Sequence, residues 1–307
     1  MIQVTELTKT FDGFTALNRL NLNVSSGAIY GLVGINGAGK TTAIKHLMGI
    51  FRQDSGEVKI DGQPVFNNAP LKARIGFIPD ELYFFHGYTI KALRVFYRNM
   101  YKRWNDNRFE ALLESFNLEH KMKLNKLSKG MQKQAMFAYV MSIMPDVLIL
   151  DEPIDGLDPI VRRLIISSIR DDVASRGLTV LVSSHNLKEM EGFCDSVGIM
   201  EKGSMKIERN IDKLTKDIVK VQVAFPQNMP EESSRLEGLD ILQRERVGST
   251  ETIIIRGEEE KVLGQLRSFD PLLLDLIPLT LEEIFMYETM DIGLDEDFEY
   301  DVADRAN

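Results

Sequence analysis

Short apolar runs alternate with helical stretches along the first part of the chain. Three runs, at residues 28–33, 147–150 and 179–183, are almost continuously apolar. Strands that are buried on both faces have this composition, as in a parallel sheet covered by helices. The pattern therefore predicts an α/β domain over residues 1–210.

Within this domain the pattern changes twice. Residues 2–4, 20–24 and 57–60 alternate apolar and polar side chains, which predicts a half-exposed antiparallel sheet. Residues from about 82 to 145 have a helical pattern and are predicted to form an insertion that contributes no strand to the sheets.

Residues 217–290 form a second region. Its predicted elements are, in order, a strand, a helix, two paired strands, a second helix and a last strand. This βαββαβ order is typical of a ferredoxin-like domain, with one sheet face covered by two helices and the other available to a partner. Such a domain dimerises or regulates the protein, or it is a passive extension; the sequence leaves both open. The acidic tail, residues 291–307, is predicted to be disordered.

Composition narrows the class of protein. The chain has 307 residues, 44% of them hydrophobic and 27% charged, as in soluble globular proteins. No run approaches the ~18 apolar residues of a membrane helix, and the start does not resemble a signal peptide. The single Cys194 excludes an internal disulfide and fits a reducing compartment. We therefore expect a cytoplasmic protein, and the net charge of -9 argues against nucleic acid as a partner.

A phosphate-binding loop follows the first apolar run. Residues 34–42 fit the pattern GxxxxGK[ST] between a predicted strand and a predicted helix. Glycines allow backbone N–H groups to surround a phosphate, and the helix N-terminus adds partial positive charge. The candidate nucleotide-binding residues are Asn36, Gly37, Ala38, Gly39, Lys40, Thr41 and Thr42. Lys40 is expected to reach the β- and γ-phosphates of ATP, and the Thr41 hydroxyl to ligate Mg²⁺.

Two carboxylates end the apolar run at 147–150. Asp151 and Glu152 follow it directly, and the carboxyl ends of parallel strands open into the ligand crevice of such sheets. Asp151 is therefore the predicted metal residue, acting on the Mg²⁺ shell. Glu152 is the predicted general base, which polarises the attacking water.

The segment LSKGMQ, residues 127–132, resembles the LSGGQ signature of ABC ATPases. Further residues match that family's motifs in the right order over residues 1–210. The resemblance implies that Phe11 stacks on adenine, that Asp158 is the acid of the D-loop, and that His185 is the catalytic switch histidine. It also implies that Ser128 and Gly130 bind the ATP of an opposite subunit.

The resemblance implies an ABC ATPase fold, with a parallel core sheet, an antiparallel β subdomain and a helical subdomain, followed here by the small α+β domain. It further implies an ATP-hydrolysing subunit that pairs with a second ABC ATPase subunit and drives an integral membrane permease from the inner face of the cell membrane. The pattern is similar to the ATPases of drug and bacitracin exporters. A standalone or regulatory ABC ATPase is the alternative that the sequence leaves open.

The sequence departs from the family pattern at several positions. Asp80 stands where the Q-loop normally carries glutamine; a carboxylate can approach Mg²⁺ but cannot donate a hydrogen bond as an amide does. Asp80 is therefore a candidate metal residue. Lys129 and Met131 also replace signature residues, and Asp155 replaces a common D-loop serine.

Aromatic residues are dense after Asp80. Most of them are predicted to form the core of the helical insertion, and some are candidates to line a groove that receives a helix of the permease, since interface cores favour aromatic side chains. The sequence weighs the two about equally for at least two of the cluster, which comprises Tyr83, Phe84, Phe85, Tyr88, Phe96, Tyr97, Tyr101 and Trp104.

Overall fold

The structure, a computed structural model, describes residues 1–153, 157–211, 218–226, 236 and 238–290. The chain divides into two compact units, Met1–Arg209 and Asn210–Asn307. Among the described residues, no helix combines the length and apolar character needed to cross a bilayer.

A six-stranded sheet forms the centre of the first unit. Its strands are β3 (Ile29–Val33), β6 (Ile75–Ile78), β7 (Val147–Asp151), β8 (Thr179–Ser184), β9 (Ser196–Glu201) and β10 (Ser204–Asn210). Their order is β10-β9-β3-β8-β7-β6, and the pairs that join β9, β3, β8, β7 and β6 are parallel. The three continuous apolar runs are its buried central strands β3, β7 and β8, which confirms the predicted α/β class. The strands β6, β9 and β10 were not predicted from the apolar pattern.

An antiparallel sheet forms the second layer of strands in this unit. It contains β1 (Ile2–Phe11), β2 (Phe14–Val24), β4 (Ser55–Ile60) and β5 (Gln63–Pro64), in the order β2-β1-β4-β5. Residues such as Val4, Leu22 and Val58 alternate with exposed neighbours and join one buried cluster with Leu32 and Ile149 of the central sheet. This apolar cluster fixes the antiparallel sheet on the strands that carry the candidate site.

Helices complete the first unit, and the stretch from about 82 to 145 is mostly helical. The helices are α1 (Lys40–Leu47), α2 (Ala69–Lys72), α3 (Ile90–Met100), α4 (Asp106–Ser115), α5 (Lys129–Ser142) and α6 (Pro159–Arg176), with short 3-10 turns at Leu124–Lys126 and Leu187–Glu189. Side chains cap most of them at the N-terminus, including Thr89, Asn105, Ser128 and Asp158.

The second unit contains a four-stranded antiparallel sheet. Its strands are β11 (Ile218–Ala224), β12 (Asp240–Val247), β13 (Thr250–Arg256) and β14 (Leu273–Ile277), in the order β12-β13-β11-β14, with helices α7 (Glu259–Arg267) and α8 (Leu281–Met290). Val221, Ile253 and Leu266 are buried together on one face. The predicted first helix falls largely on residues 227–235 and, like the acidic tail 291–307, lies outside the described residues.

The opposite face of this sheet differs from the prediction. Ile218 and Ile254 point away from Val221, and they are buried with Tyr287 of α8. Lys220 on the same face forms an ion pair of 2.6 Å with Glu283 of α8. The prediction that this face is free for a partner is therefore wrong at these residues, because a C-terminal helix that the strand pattern did not include covers them.

Candidate nucleotide-binding and hydrolytic site

The loop between β3 and α1 has the backbone of a phosphate cradle. Gly39 lies at φ +103°, in the left-handed region that favours glycine. A Cβ on Gly34 would lie 2.5 Å from the carbonyl oxygen of Met200, so only glycine fits there. No side chain caps the first turn of α1, which leaves its N–H groups facing the loop. Asn36 lies at the exposed tip, and Ala38 is buried beneath it.

Lys40, the first residue of α1, points into the site. Its side chain is 6% exposed, and Nζ donates a hydrogen bond of 2.5 Å to the carbonyl oxygen of Gly34. The same Nζ lies 3.3 Å from Oε1 of Glu152. The phosphate loop and the acidic end of β7 are thus in direct contact through a buried pair of opposite charges.

The strand pair β7–β8 positions the acidic residues. Asp151 ends β7 and pairs in register with Ser183 of β8, whose Oγ donates a hydrogen bond of 2.6 Å to Asp151 Oδ1. Glu152 follows at φ +47°, and its Oε2 lies 3.0 Å from Nδ1 of His185. Parallel pairing therefore brings Asp151, Glu152 and His185 to the carboxyl ends of neighbouring strands, beside Lys40.

The predicted metal residues are not all together. Thr41 lies in the exposed first turn of α1, and Asp151 is 3% exposed. Asp80 follows β6 with a 55% exposed side chain, and its Oδ1 lies 3.9 Å from Nζ of Lys133. No three His, Cys, Asp or Glu side chains in the described part of the chain come together as a metal cluster. The role of Asp80 towards a metal stays a prediction.

Ser128 and Asp158 stand apart from this cluster. Ser128 begins α5, and its Oγ accepts a hydrogen bond of 3.2 Å from the Met131 N–H; Gly130 lies in the first turn. Asp158 begins α6 and accepts a bond of 2.8 Å from the Ile160 N–H. In the hydrogen bonds and ion pairs of the described residues, neither Ser128 nor Asp158 contacts Lys40 or Glu152. Residues 154–156 between Glu152 and Asp158 lie outside the description.

Phe11 lies at the end of β1 and is 36% exposed. Its ring meets the edge of the Phe51 ring at 5.3 Å, and Nζ of Lys9 lies 5.2 Å above it. An exposed aromatic ring held by a second ring can stack on a planar base.

Sequence reasoning missed Phe51, Ser183 and Lys133. Phe51 could have been noticed as an aromatic residue soon after the P-loop helix, and Ser183 as a polar residue at the end of an apolar run. Lys133 carries no comparable sequence signal. Its Nζ donates a hydrogen bond of 2.9 Å to the carbonyl oxygen of Glu152, a contact that depends on how α5 packs.

Comparisons with known proteins agree with this geometry. The family profile "ABC transporter" matches residues 17–155. The chain is 36% identical over 223 residues to the bacitracin transport ATP-binding protein BcrA of Bacillus licheniformis, covering 70% of this chain and 72% of BcrA. It is 31% identical over 293 residues to the Nod factor export ATP-binding protein I of Rhizobium sp. (strain N33), covering 93% and 95% of the two chains.

A solved structure described as the ATP binding subunit of an ABC transporter superposes with a TM-score of 0.65 at 26% identity, covering 70% of this chain and 91% of that one. The TM-score shows that the two chains share a fold over the matched part. Together with the phosphate loop and the acidic strand end, these matches establish that the chain belongs to the ATP-binding proteins of ABC transporters and is an ABC-type ATPase.

Proposed function

We propose that this ATPase drives export through a separate integral membrane permease, working as one of two cassettes that close around two ATP molecules. The observation that carries the pairing of two cassettes is the division of the site. Lys40, Glu152 and His185 are in contact within one chain, whereas Ser128 and Asp158 are engaged elsewhere. A second cassette, facing the first, would supply the missing Ser128 and Gly130.

Each group in the assembled half-site has a role that its chemistry suits. The amides of the loop and Lys40 would bind the phosphates, and Phe11 the adenine. Glu152 would polarise the attacking water, and His185, in contact with it, would respond to the γ-phosphate. Ser128 already caps α5, so its hydroxyl and the α5 N-terminus lie together where a phosphate could be bound.

The residues also fit a Mg²⁺ ion that arrives with the nucleotide. Mg²⁺ in such sites is held by one or two carboxylates and by the substrate phosphates rather than by a full protein cage. Asp151 provides one buried carboxylate, oriented by Ser183, and Thr41 provides a hydroxyl at the start of α1. When bound, the ion neutralises charge on the phosphates.

Export is supported by relatives and by an exposed aromatic surface. A Nod factor export protein aligns with nearly the whole chain. Tyr97, Tyr101 and Trp104 form stacked or tilted ring contacts inside the helical insertion. Other large apolar side chains of this insertion are exposed, and we propose that these face the permease: Tyr83, Phe85, Tyr88, Val95, Phe96 and Met100.

The protein would then work as a peripheral protein on the inner face of the cell membrane. Affinity purification from detergent-solubilised membranes tests this, with identification of any integral protein that co-purifies. Recovery of one permease at a fixed ratio supports the proposal. Recovery of the ATPase without an integral protein, from cells that also express the candidate permease, would favour a regulatory ATPase.

We also propose that the second unit, about residues 217–290, holds two copies together or regulates them. Its own sheet and buried clusters support independent folding. Light scattering of the chain with and without residues 217–307 tests this. Weaker pairing of a soluble truncated chain supports the proposal, and unchanged pairing with an unchanged ATPase rate contradicts it.

A further inference from the structure

Lys133 links the helix that follows the signature segment to the residue proposed as the base. It lies in the second turn of α5, with a side chain that is 12% exposed. Its Nζ donates a hydrogen bond of 2.9 Å to the backbone carbonyl of Glu152. A charged donor that is largely removed from water forms a stronger hydrogen bond than a neutral one.

The backbone that receives this bond has an uncommon conformation. Glu152 lies at φ +47°, where residues other than glycine are unfavourable by roughly 1–2 kcal/mol. Such a conformation persists when surrounding groups hold it. The Glu152 N–H donates to Ser183 Oγ at 3.1 Å, and its carbonyl accepts from Lys133. Two side chains from different elements thus fix the peptide groups on either side of Glu152, and with them the direction of its carboxylate.

Asp80 is the acidic neighbour of Lys133. Its Oδ1 lies 3.9 Å from the Lys133 Nζ, a loose ion pair with one well-exposed partner. Both residues line a cleft of about 500 Å³ between the segment that follows β6 and α5, together with Leu82 and Tyr83. A change in what occupies this cleft would therefore move Asp80, Lys133 or both.

We propose that Lys133 is a positioning residue for ATP hydrolysis, which holds the backbone of Glu152 in its active direction, and that Asp80 acts through Lys133. This rests on the proposed role of Glu152 as the base. Asp80 and Lys133 thereby connect the exposed aromatic surface beside Tyr83 to the hydrolytic centre. The family pattern has a neutral glutamine at position 80, where this protein has the acidic member of an Asp–Lys pair.

The first test compares Lys133→Met, Lys133→Arg and the matched control Lys121→Met, since Lys121 is an 85% exposed lysine of the same helical insertion. We expect Lys133→Met to lower kcat about tenfold with KM changed less than about twofold. Arginine, which can still donate to the carbonyl, should restore most of the rate, and the control should match the wild type. A Lys133→Met variant with wild-type kcat would overturn the proposal, as would a rise in KM alone.

The second test addresses Asp80. Asp80→Asn should lower kcat by itself, but it should have little further effect in the Lys133→Met background, because the two residues act along one path. Effects that multiply would show that Asp80 acts independently. If Lys133→Met does not fold, Asp80→Asn alone and Lys133→Arg decide the matter, and a wild-type kcat for Asp80→Asn or a loss of kcat in Lys133→Arg as large as that in Glu152→Gln would overturn the proposal.

Glu152→Gln belongs in the same series, to separate this inference from the proposed function. If Glu152→Gln hydrolyses ATP normally, the base assignment and the inference both fail. If Glu152→Gln is inactive while Lys133→Met is fully active, the base assignment stands and the role of Lys133 alone is overturned.

Discussion

The amine of Lys40 and the carboxylate of Glu152 lie 3.3 Å apart, and both side chains are largely buried. Removing one partner of a buried ion pair leaves the other charge without compensation, at a cost of about 3–5 kcal/mol. The two residues are therefore coupled in stability as well as in function. A substitution of Lys40 or Glu152 separates the effect on stability from the effect on ATP hydrolysis best when the new side chain keeps the size and polarity of the old one.

Glu152→Gln should abolish steady-state hydrolysis while ATP binding remains. The amide retains the shape of the side chain but cannot accept a proton, and general bases contribute about 10²–10⁴-fold to rates. Steady-state phosphate release and nucleotide binding measured on the same sample check this. Turnover near that of the wild type would remove Glu152 from the role of base.

Lys40→Ala should lose ATP affinity, because the point charge that faces the β- and γ-phosphates is removed. A charged hydrogen bond contributes about 1.5–3 kcal/mol, so we expect a loss of about 10- to 100-fold in affinity by equilibrium dialysis. Lys121→Ala serves as the control, since that lysine is 85% exposed and lies outside the site. Equal affinities of the two variants would contradict the cradle assignment.

Mixing Ser128→Arg subunits with Lys40→Ala subunits should rescue one composite site. Each variant alone has both sites damaged, whereas the mixed pair contains one intact phosphate loop opposite one intact Ser128. We expect about one ATP bound per mixed dimer, measured on dimers isolated by two different tags. Isolated mixed dimers that bind no ATP would argue against completion of the site by a second subunit.

Phe85→Glu should weaken permease binding while the thermal unfolding temperature stays unchanged. Phe85 is 69% exposed, so its removal costs little in the folded chain. A central aromatic residue at an interface contributes about 2 kcal/mol or more, which corresponds to a loss of at least about 30-fold in affinity. Leu272→Glu is the control, because Leu272 is an equally exposed apolar residue of the second unit. Similar permease recovery with both variants would exclude this surface.

His46 should make stability depend on pH near neutrality. Burial lowers the pKa of His46 below its ordinary value of 6.5, and a hydrogen bond to the Thr42 carbonyl offsets this in part. The unfolded chain therefore binds a proton at a higher pH than the folded chain does. The stabilisation is complete above about pH 6.5 and is lost as the pH falls towards the folded-state pKa.

Thermal unfolding between about pH 7.5 and pH 5.5 checks this, with His46→Gln as the comparison. The wild type should lose more stability over this interval than the variant. Asp146 and the other acids with lowered pKa values act at lower pH, since their ordinary pKa is 3.8 for aspartate and 4.5 for glutamate. Parallel curves for the two proteins would mean that another group is responsible.

The central fold class and the phosphate-binding character of the site follow from the amino-acid sequence alone. Apolar runs in which no polar residue alternates indicate strands that are covered on both faces of the sheet. The glycines before Lys40 indicate a backbone that surrounds a phosphate. These are local consequences of composition and backbone geometry, so they can be predicted without knowing which distant residues meet.

The contacts between the residues of the candidate site depend on the tertiary structure. The register of β7 and β8 brings Ser183 to Asp151 and His185 to Glu152, and packing of α5 brings Lys133 to the Glu152 carbonyl. The same holds for α8, which covers a sheet face that the strand pattern alone left open. Each contact joins residues that are separated along the chain and depends on the relative placement of two elements, which periodicity within one segment does not specify.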